Sequence, residues 1–335
     1  MAIHGLECVM KVADAAGCNW VAMRDIMATH MISNILPKDL MSKYPDIDFD
    51  VKIVDKDDVT GEYFIFLPDM PHLTKHIVTA LELSSSKFSK RSIKYGKCPI
   101  EMKMIEVVWL KTGGATGQFH ETKLTVYHFE KNAYSRMNVS LATQVLSASV
   151  AKMIRDAIAD DEIQLPIRKK EMYNHLADLC EKWNEVVDIC NGKGGPHTPE
   201  NAVERQVKLL STLNWFSKWK KSHDAKVLSE DATEFNFFAD ETWFCIRALI
   251  LAHVGAISIY CVLKRVSINP KKMNTDAVEW FFGDVRQFIP GSTNKVGAKG
   301  MGHGASKASA CTNGRHLVHG NNKKAADALC RPKKH

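Results

Sequence analysis

The stretch Ala248–Leu263 carries no charged residue and is bounded by Arg247 and Lys264. A run of that composition has to be covered on all sides, by lipid or by protein. It is shorter than a typical membrane span and contains His253, Gly255 and Ser258, so it reads as a helix buried in a large core and not as a membrane anchor. At 335 residues, with 45% hydrophobic and 25% charged residues, the chain can supply that core from one large domain or two ordinary ones.

The formal net charge of +7 belongs to one end of the chain. From Gly291 onward there are nine Lys/Arg and one acid, Asp327, which leaves 36 basic and 37 acidic residues before it. Residues 291–335 are rich in Gly, Ser, Asn, Ala, His and Lys, and are expected to form a disordered basic tail. The nine cysteines are scattered, with no C-x-x-C, as in a protein that keeps its thiols reduced inside a cell. His316 and His319, near Cys311 and Cys330, lack a recognisable zinc spacing. The N-terminus is neither a signal peptide nor a transit peptide.

Patterning divides the body. Residues 6–13 and 62–67 read as buried strands. The first leads into a helix running to about Ile35. The second leads into a helix opened at Pro68–His72, with Asp69 as N-cap and Pro71 at its first position. That is α/β grammar. From about residue 86 to 230 helical patterns dominate, at 133–158, 170–190 and 202–220, and Gly192–Pro196 breaks two of them. Helices over 236–264 and 275–288 complete the chain. In the last one Asp276 and Glu279 share a face beside Trp280, Phe281 and Val285. The pair is either an acidic first turn favoured by the helix dipole or a set of oxygen ligands for Mg²⁺.

Five separated segments, in order, resemble the P-element family of DNA transposases and its THAP-domain-containing relatives. They are Val12–Asn19, Tyr63–Lys75, Lys123–Thr125 with Met137–Ser147, Trp183–Asn191 and Thr275–Phe282. The resemblance covers about residues 6–290. It implies an α/β RNase H-like core, partial here, interrupted by a mostly α-helical insertion domain. The boundaries expected are 1–85 for the first part of the core, 86–230 for a GTP-binding insertion, 231–290 for the rest of the core, and 291–335 for the tail. The family cuts and joins DNA with three carboxylates and two Mg²⁺ ions. Clustered anionic oxygens are what two cations about 4 Å apart require. Asp14 matches the family's second acid and Glu279 its third, both as catalytic and metal-binding residues. The first acid would lie upstream of Met1, so the chain is expected to be N-terminally truncated and a poor nuclease alone. Asp69 sits close to the catalytic side of the implied fold, but helix capping is the stronger reading for it. His72 and His76, at i and i+4, are expected to pack and not to bind metal.

No G-x-x-x-x-G-K-[ST] loop is present, since Gly113–Gln118 does not end in Lys-Ser/Thr. The resemblance implies instead that GTP is held by scattered residues, matching Lys123, Asn138, Val139, Ser147, Asp188 and Asn191, with Asp276 near the junction. A carboxylate such as Asp188 accepts from both N1–H and the exocyclic amine of guanine, a pattern adenine does not offer. Lys123 can pair with a phosphate as a point charge. Alternatively, Asp188 and Asn191 merely end a helix before Gly192. Asn138 stands where the family has Lys and Val187 where it has Phe, so weaker nucleotide binding is expected, with no GTP hydrolysis. The implied partners are transposon-end DNA and further copies of the chain, with no membrane, in the nucleus. Three functions stay open: a transposase-like protein that is not catalytic alone, a piece of an active strand-transfer enzyme, and a non-enzymatic DNA-binding or regulatory protein.

Overall fold

The computed structural model describes residues 10–13, 24–25, 28–59, 61–84, 86, 92–96, 98–116, 121–130, 138–160, 166–227 and 237–273. Asp14, Asp276, Glu279 and the basic tail lie outside these residues, as do His316, His319, Cys311 and Cys330.

Four strands form a mixed sheet: β1 (Met10–Ala13), β2 (His30–Met31), β3 (Lys52–Lys56) and β4 (Tyr63–Pro68), in the order β1-β4-β3-β2. β1 runs parallel to β4, with Met10 opposite Ile65, while β3 is antiparallel to β4 with Val54 opposite Ile65. Ile65, Phe66 and Leu67 are consecutive and all buried. A strand buried residue after residue is covered on both faces, which explains its unbroken apolar sequence.

Strand β4 runs directly into helix α1 (Met70–Leu83) through Asp69. The Asp69 carboxylate caps the helix, accepting from the His72 backbone N–H at 3.4 Å and contacting His72 Nδ1 at 2.6 Å. The capping expectation holds. Because the first helical residue is Met70, Pro71 occupies the second position and not the first.

Most of the remaining described structure is helical: α2 (Met102–Lys111), α3 (Val139–Val145), α4 (Ala148–Ala159), α5 (Ile167–Cys190), α6 (Ala202–Val227) and α7 (Asp240–Ala256). The pattern over 133–158 resolves into α3 and α4, not one helix. Ser147 separates them: its hydroxyl donates to Gln144 O (2.8 Å) and accepts from Val150 N–H (3.4 Å). Asn138 caps α3 in the same manner, accepting from Ser140 N–H at 2.9 Å. The helix expected to run to Ile35 is absent at its described end. Thr29 and Ile32 instead donate their N–H groups to Val54 O and Val51 O, which recruits His30–Met31 into the sheet. Strand pairing there lets Ile32 bury completely, something a helix propensity alone could not secure.

The apolar run that opened the sequence reading is the core helix. Together α7 and its continuation are long and apolar enough to cross a membrane, yet every residue from Ala248 to Cys261 is buried inside the molecule. Helix α7 packs on β4 and also on α1 and α6. Gly255 makes the closest approach: a Cβ there would come within 2.7 Å of Ile32 Cδ1 and 3.3 Å of Ile65 Cδ1. Beyond Ala256 the helix widens to π geometry over Ile257–Leu263. The buried Gln206 amide of α6 attends the widened turn, donating to Ser258 Oγ (2.7 Å) and Val254 O (3.4 Å). Gly255→Val should therefore overpack the helix–sheet contact and cost about 1–3 kcal/mol in urea unfolding; an unchanged midpoint would contradict this close packing.

Candidate nucleotide site

Helix α5 is fixed to helix α1 by Trp183, which is fully buried and donates from Nε1 to Thr74 Oγ1 of α1 at 3.1 Å. Little more than one turn further along α5 stands Asp188, facing a cavity of about 630 Å³ between the end of α5 and the start of α6. Its Oδ2 accepts from Asn184 Nδ2 (3.0 Å), one turn back on the same face, and from Lys193 Nζ (2.8 Å).

The sequence after Asp188 explains the second contact. Asn191 is the C-cap, and Gly192 takes a left-handed backbone (φ 66°). Gly192 N–H returns to Ile189 O at 3.1 Å and Lys193 N–H to Asp188 O at 2.8 Å. This is the paired hydrogen-bond pattern of a Schellman C-cap, with glycine at the left-handed position. It leaves Lys193 one backbone bond from the residue whose carboxylate its ammonium meets. Gly194 and Gly195 follow, also with positive φ.

Arg205, buried on α6, holds that loop. Its Nη2 donates to Gly194 O (3.0 Å) and Gly195 O (3.1 Å), and its Nη1 to Gly195 O (3.1 Å). Nη1 also lies 2.7 Å from His197 Nδ1. A guanidinium has only donors, so His197 must accept there and carry its proton on Nε2. Burial comes first, then His253 and Arg205 nearby, in pulling His197 down to about 3. Burial alone takes His253 to about 4. His197 in turn pairs with Ile268 by two backbone bonds of 2.9 Å, tying the loop to the segment that follows α7.

The cavity wall is ionic. Lys182, Lys193, Arg205 and Lys208 supply positive charge, and Glu181, Glu185, Asp188 and Glu204 negative charge. Most of the neighbouring carboxylates are engaged: Glu204 with Lys208 (2.7 Å), Glu181 with Arg155 (2.7 Å) and Glu185 with the Thr212 hydroxyl (3.3 Å).

Of the residues expected to contact a nucleotide, the structure brings Asp188 to this cavity. Ser147 is the sequence neighbour of Ala148, which is in the wall, but its hydroxyl is spent on helix capping. Asn138 is an exposed cap and Val139 the first residue of α3. Asn191 is an exposed helix end outside the wall, whereas Asp188 both takes part in the helix C-cap through its carbonyl and lines the cavity. Lys123 lines a second cavity, of about 580 Å³, with Trp109, Phe129 and Thr125; the two cavities share no lining residue. Sequence reasoning missed Lys182, Asn184, Lys193, Arg205 and Lys208. Asn184 was within reach, because a partner four residues before Asp188 shares its helix face. Among the described residues no cluster of three or more His, Cys, Asp or Glu is arranged to hold a metal ion.

Residues 80–198 match the family model described as TNP-like, GTP-binding insertion domain. The fold resembles a chain of the Drosophila P element transposase strand transfer complex, with a TM-score of 0.62 at 15% sequence identity. The insertion-domain match and the shared fold together support a P-element-type transposase relative. The match covers 90% of this chain and 60% of the other, so the chain spans well under the full length of its structural neighbour. No curated protein matched the sequence. The matched insertion region ends at His197–Thr198, so it includes Asp188 and Lys193, while Arg205 and Lys208 lie just beyond it.

The buried imidazoles give a pH signature. His175 is also pulled down by burial, to about 3, between the rings of Tyr95 (centroids 4.0 Å apart) and Trp215 (4.6 Å). These three histidines fold as neutral groups. The unfolded chain binds protons at them below the ordinary value of about 6.5, and the folded chain does not until about 3–4. Their contribution is complete above about pH 6.5 and is lost progressively as pH falls toward 4. Each should steepen the loss by up to about 1.4 kcal/mol per pH unit. Denaturation curves of His253→Phe between pH 7 and 4.5 should show a shallower slope than the parent; an identical slope would contradict neutral burial.

Proposed function

We propose that this is a P-element transposase-like protein whose insertion domain binds GTP as a structural ligand at the Asp188 cavity, within an incomplete RNase H-like core that associates with transposon-end DNA and is not catalytic alone. The observation that supports it best is the pairing of one carboxylate, Asp188, with basic side chains around a cavity at the end of a matched GTP-binding region. The carboxylate can accept from guanine N1–H and its 2-amino group, which together satisfy both oxygens. Lys182 and Lys208 line the same cavity and supply positive charge for phosphate oxygens, while the Arg205 guanidinium is held by the Gly194 and Gly195 carbonyls.

Hydrolysis is not part of the reading. The sequence has no phosphate-binding P-loop, and the glycines of 192–195 offer carbonyls to Arg205 instead of a cradle of N–H groups to a phosphate. The core boundaries at 1–85 and 231–290, a role for Asp14 and Glu279 in holding Mg²⁺, self-association and a nuclear location are parts of the same proposal. They rest on the motif resemblance. When bound, Mg²⁺ would supply activation of a water or 3′-hydroxyl and stabilisation of the leaving oxygen.

Calorimetric titration tests the site. GTP should bind at least about tenfold more tightly than ATP, reflecting guanine donors matched to a half-buried carboxylate acceptor. Asp188→Ala should erase that preference without altering the unfolding midpoint by more than about 1 kcal/mol, since its partners are surface groups. Equal binding of GTP and ATP by the parent chain would defeat the assignment.

A further inference from the structure

Lys193 occupies the position that a guanine base would need. Asp188 Oδ2 already receives two donors, Asn184 Nδ2 and Lys193 Nζ. A carboxylate oxygen has about two good acceptor sites, so a base approaching that edge must displace one of them. Asn184 sits within α5, whereas Lys193 is 73% exposed on a flexible stem, so Lys193 is the one that yields. Its backbone does not move with it, because Gly192 and Lys193 are locked by the C-cap bonds to Ile189 O and Asp188 O.

Displacement has a consequence for charge. Once Lys193 leaves Asp188, two of the other wall carboxylates, Glu204 and Glu181, are already ion-paired with Lys208 and Arg155, and Glu185, which accepts the Thr212 hydroxyl, is the one carboxylate of the wall without a cation partner among those described above. Lys182, Arg205 and Lys208 add positive charge around it. A neutral nucleoside would take the acid and leave the ammonium without its 2.8 Å contact to Asp188, with Glu185 as its remaining alternative. A nucleotide brings a replacement anion.

We propose, on the basis of the guanine reading above, that Lys193 is a two-position specificity residue. In the empty cavity it neutralises Asp188. In the filled cavity it turns on its stem to the phosphates. Lys193 thereby discriminates against guanine compounds without phosphate and favours those with it, a selection separate from the base recognition done by Asp188. Lys193 is a competitor for the ligand at one end and a contact for it at the other.

The two roles oppose each other in a way that a purely structural lysine would not. The test uses the full chain and its Lys193→Met and Lys193→Arg variants, with GTP and guanosine measured by displacement of a fluorescent guanine nucleotide. Removal of the exposed ion pair in Lys193→Met should tighten guanosine about two- to fivefold, and loss of the phosphate contact should weaken GTP by a similar factor. The preference for GTP over guanosine should then fall by about fourfold or more, and Lys193→Arg should retain most of it. Guanosine binding that is unchanged, weakened or undetectable in Lys193→Met overturns the proposal, as does an equal change for both ligands. If GTP binding depends on Asp188 but the preference ignores Lys193, this proposal alone fails. If the parent chain binds no guanine nucleotide, the guanine reading fails and takes the proposal with it.

Discussion

The hydrogen bond from Trp183 to Thr74 joins two helices that come from distant parts of the chain. Its value lies less in the bond itself than in what it orients. A fully buried indole on α5 must find an acceptor or lose the free energy of an unsatisfied donor. Thr74, whose own hydroxyl donates to Met70 O, supplies one from α1. With that contact fixed, the rotation of α5 about its axis is fixed too. The face at Asn184 and Asp188 is then turned to the cavity, while Val186 and Ile189 enter the core. The candidate site thus inherits its geometry from packing behind it.

A second constraint acts from α6. A buried guanidinium cannot shed its charge, so it must be surrounded by acceptors. Arg205 finds them in two glycine carbonyls and a neutral imidazole. Glycine at 194 and 195 is what permits both carbonyls to face one cation, since each adopts a positive φ. The result is a loop held rigidly between the Asp188 cavity and the backbone of Ile268. The same burial that keeps His197 neutral makes it a good neighbour for a fixed cation.

The parts legible in sequence are those whose cause is local. Tyr63–Leu67 reads as a strand because it is apolar and aromatic throughout, and Asp69 reads as a cap because it precedes a helix opened by proline. Asp188 was legible through its motif and stands at a cavity. The parts that were not legible depend on distant partners. Lys52–Lys56 alternates weakly and becomes a strand through β4 on one side and His30–Met31 on the other. Lys193 reads as part of a glycine-rich breaker until the helix end folds it back over Asp188. Arg205 carries no local signal, because its acceptors lie on the preceding loop. Lys123, implied by the motif resemblance as a further nucleotide contact, lines another cavity, a separation that motif order does not reveal.

Two cavities therefore compete for the nucleotide, one built on Asp188 and one containing Lys123. An experimental structure of the chain with GTP decides between them. The account predicts the guanine edge against the Asp188 carboxylate, with Lys193 turned toward the phosphates. A nucleotide seated against Lys123 and Trp109, with the Lys193–Asp188 ion pair intact, would contradict it.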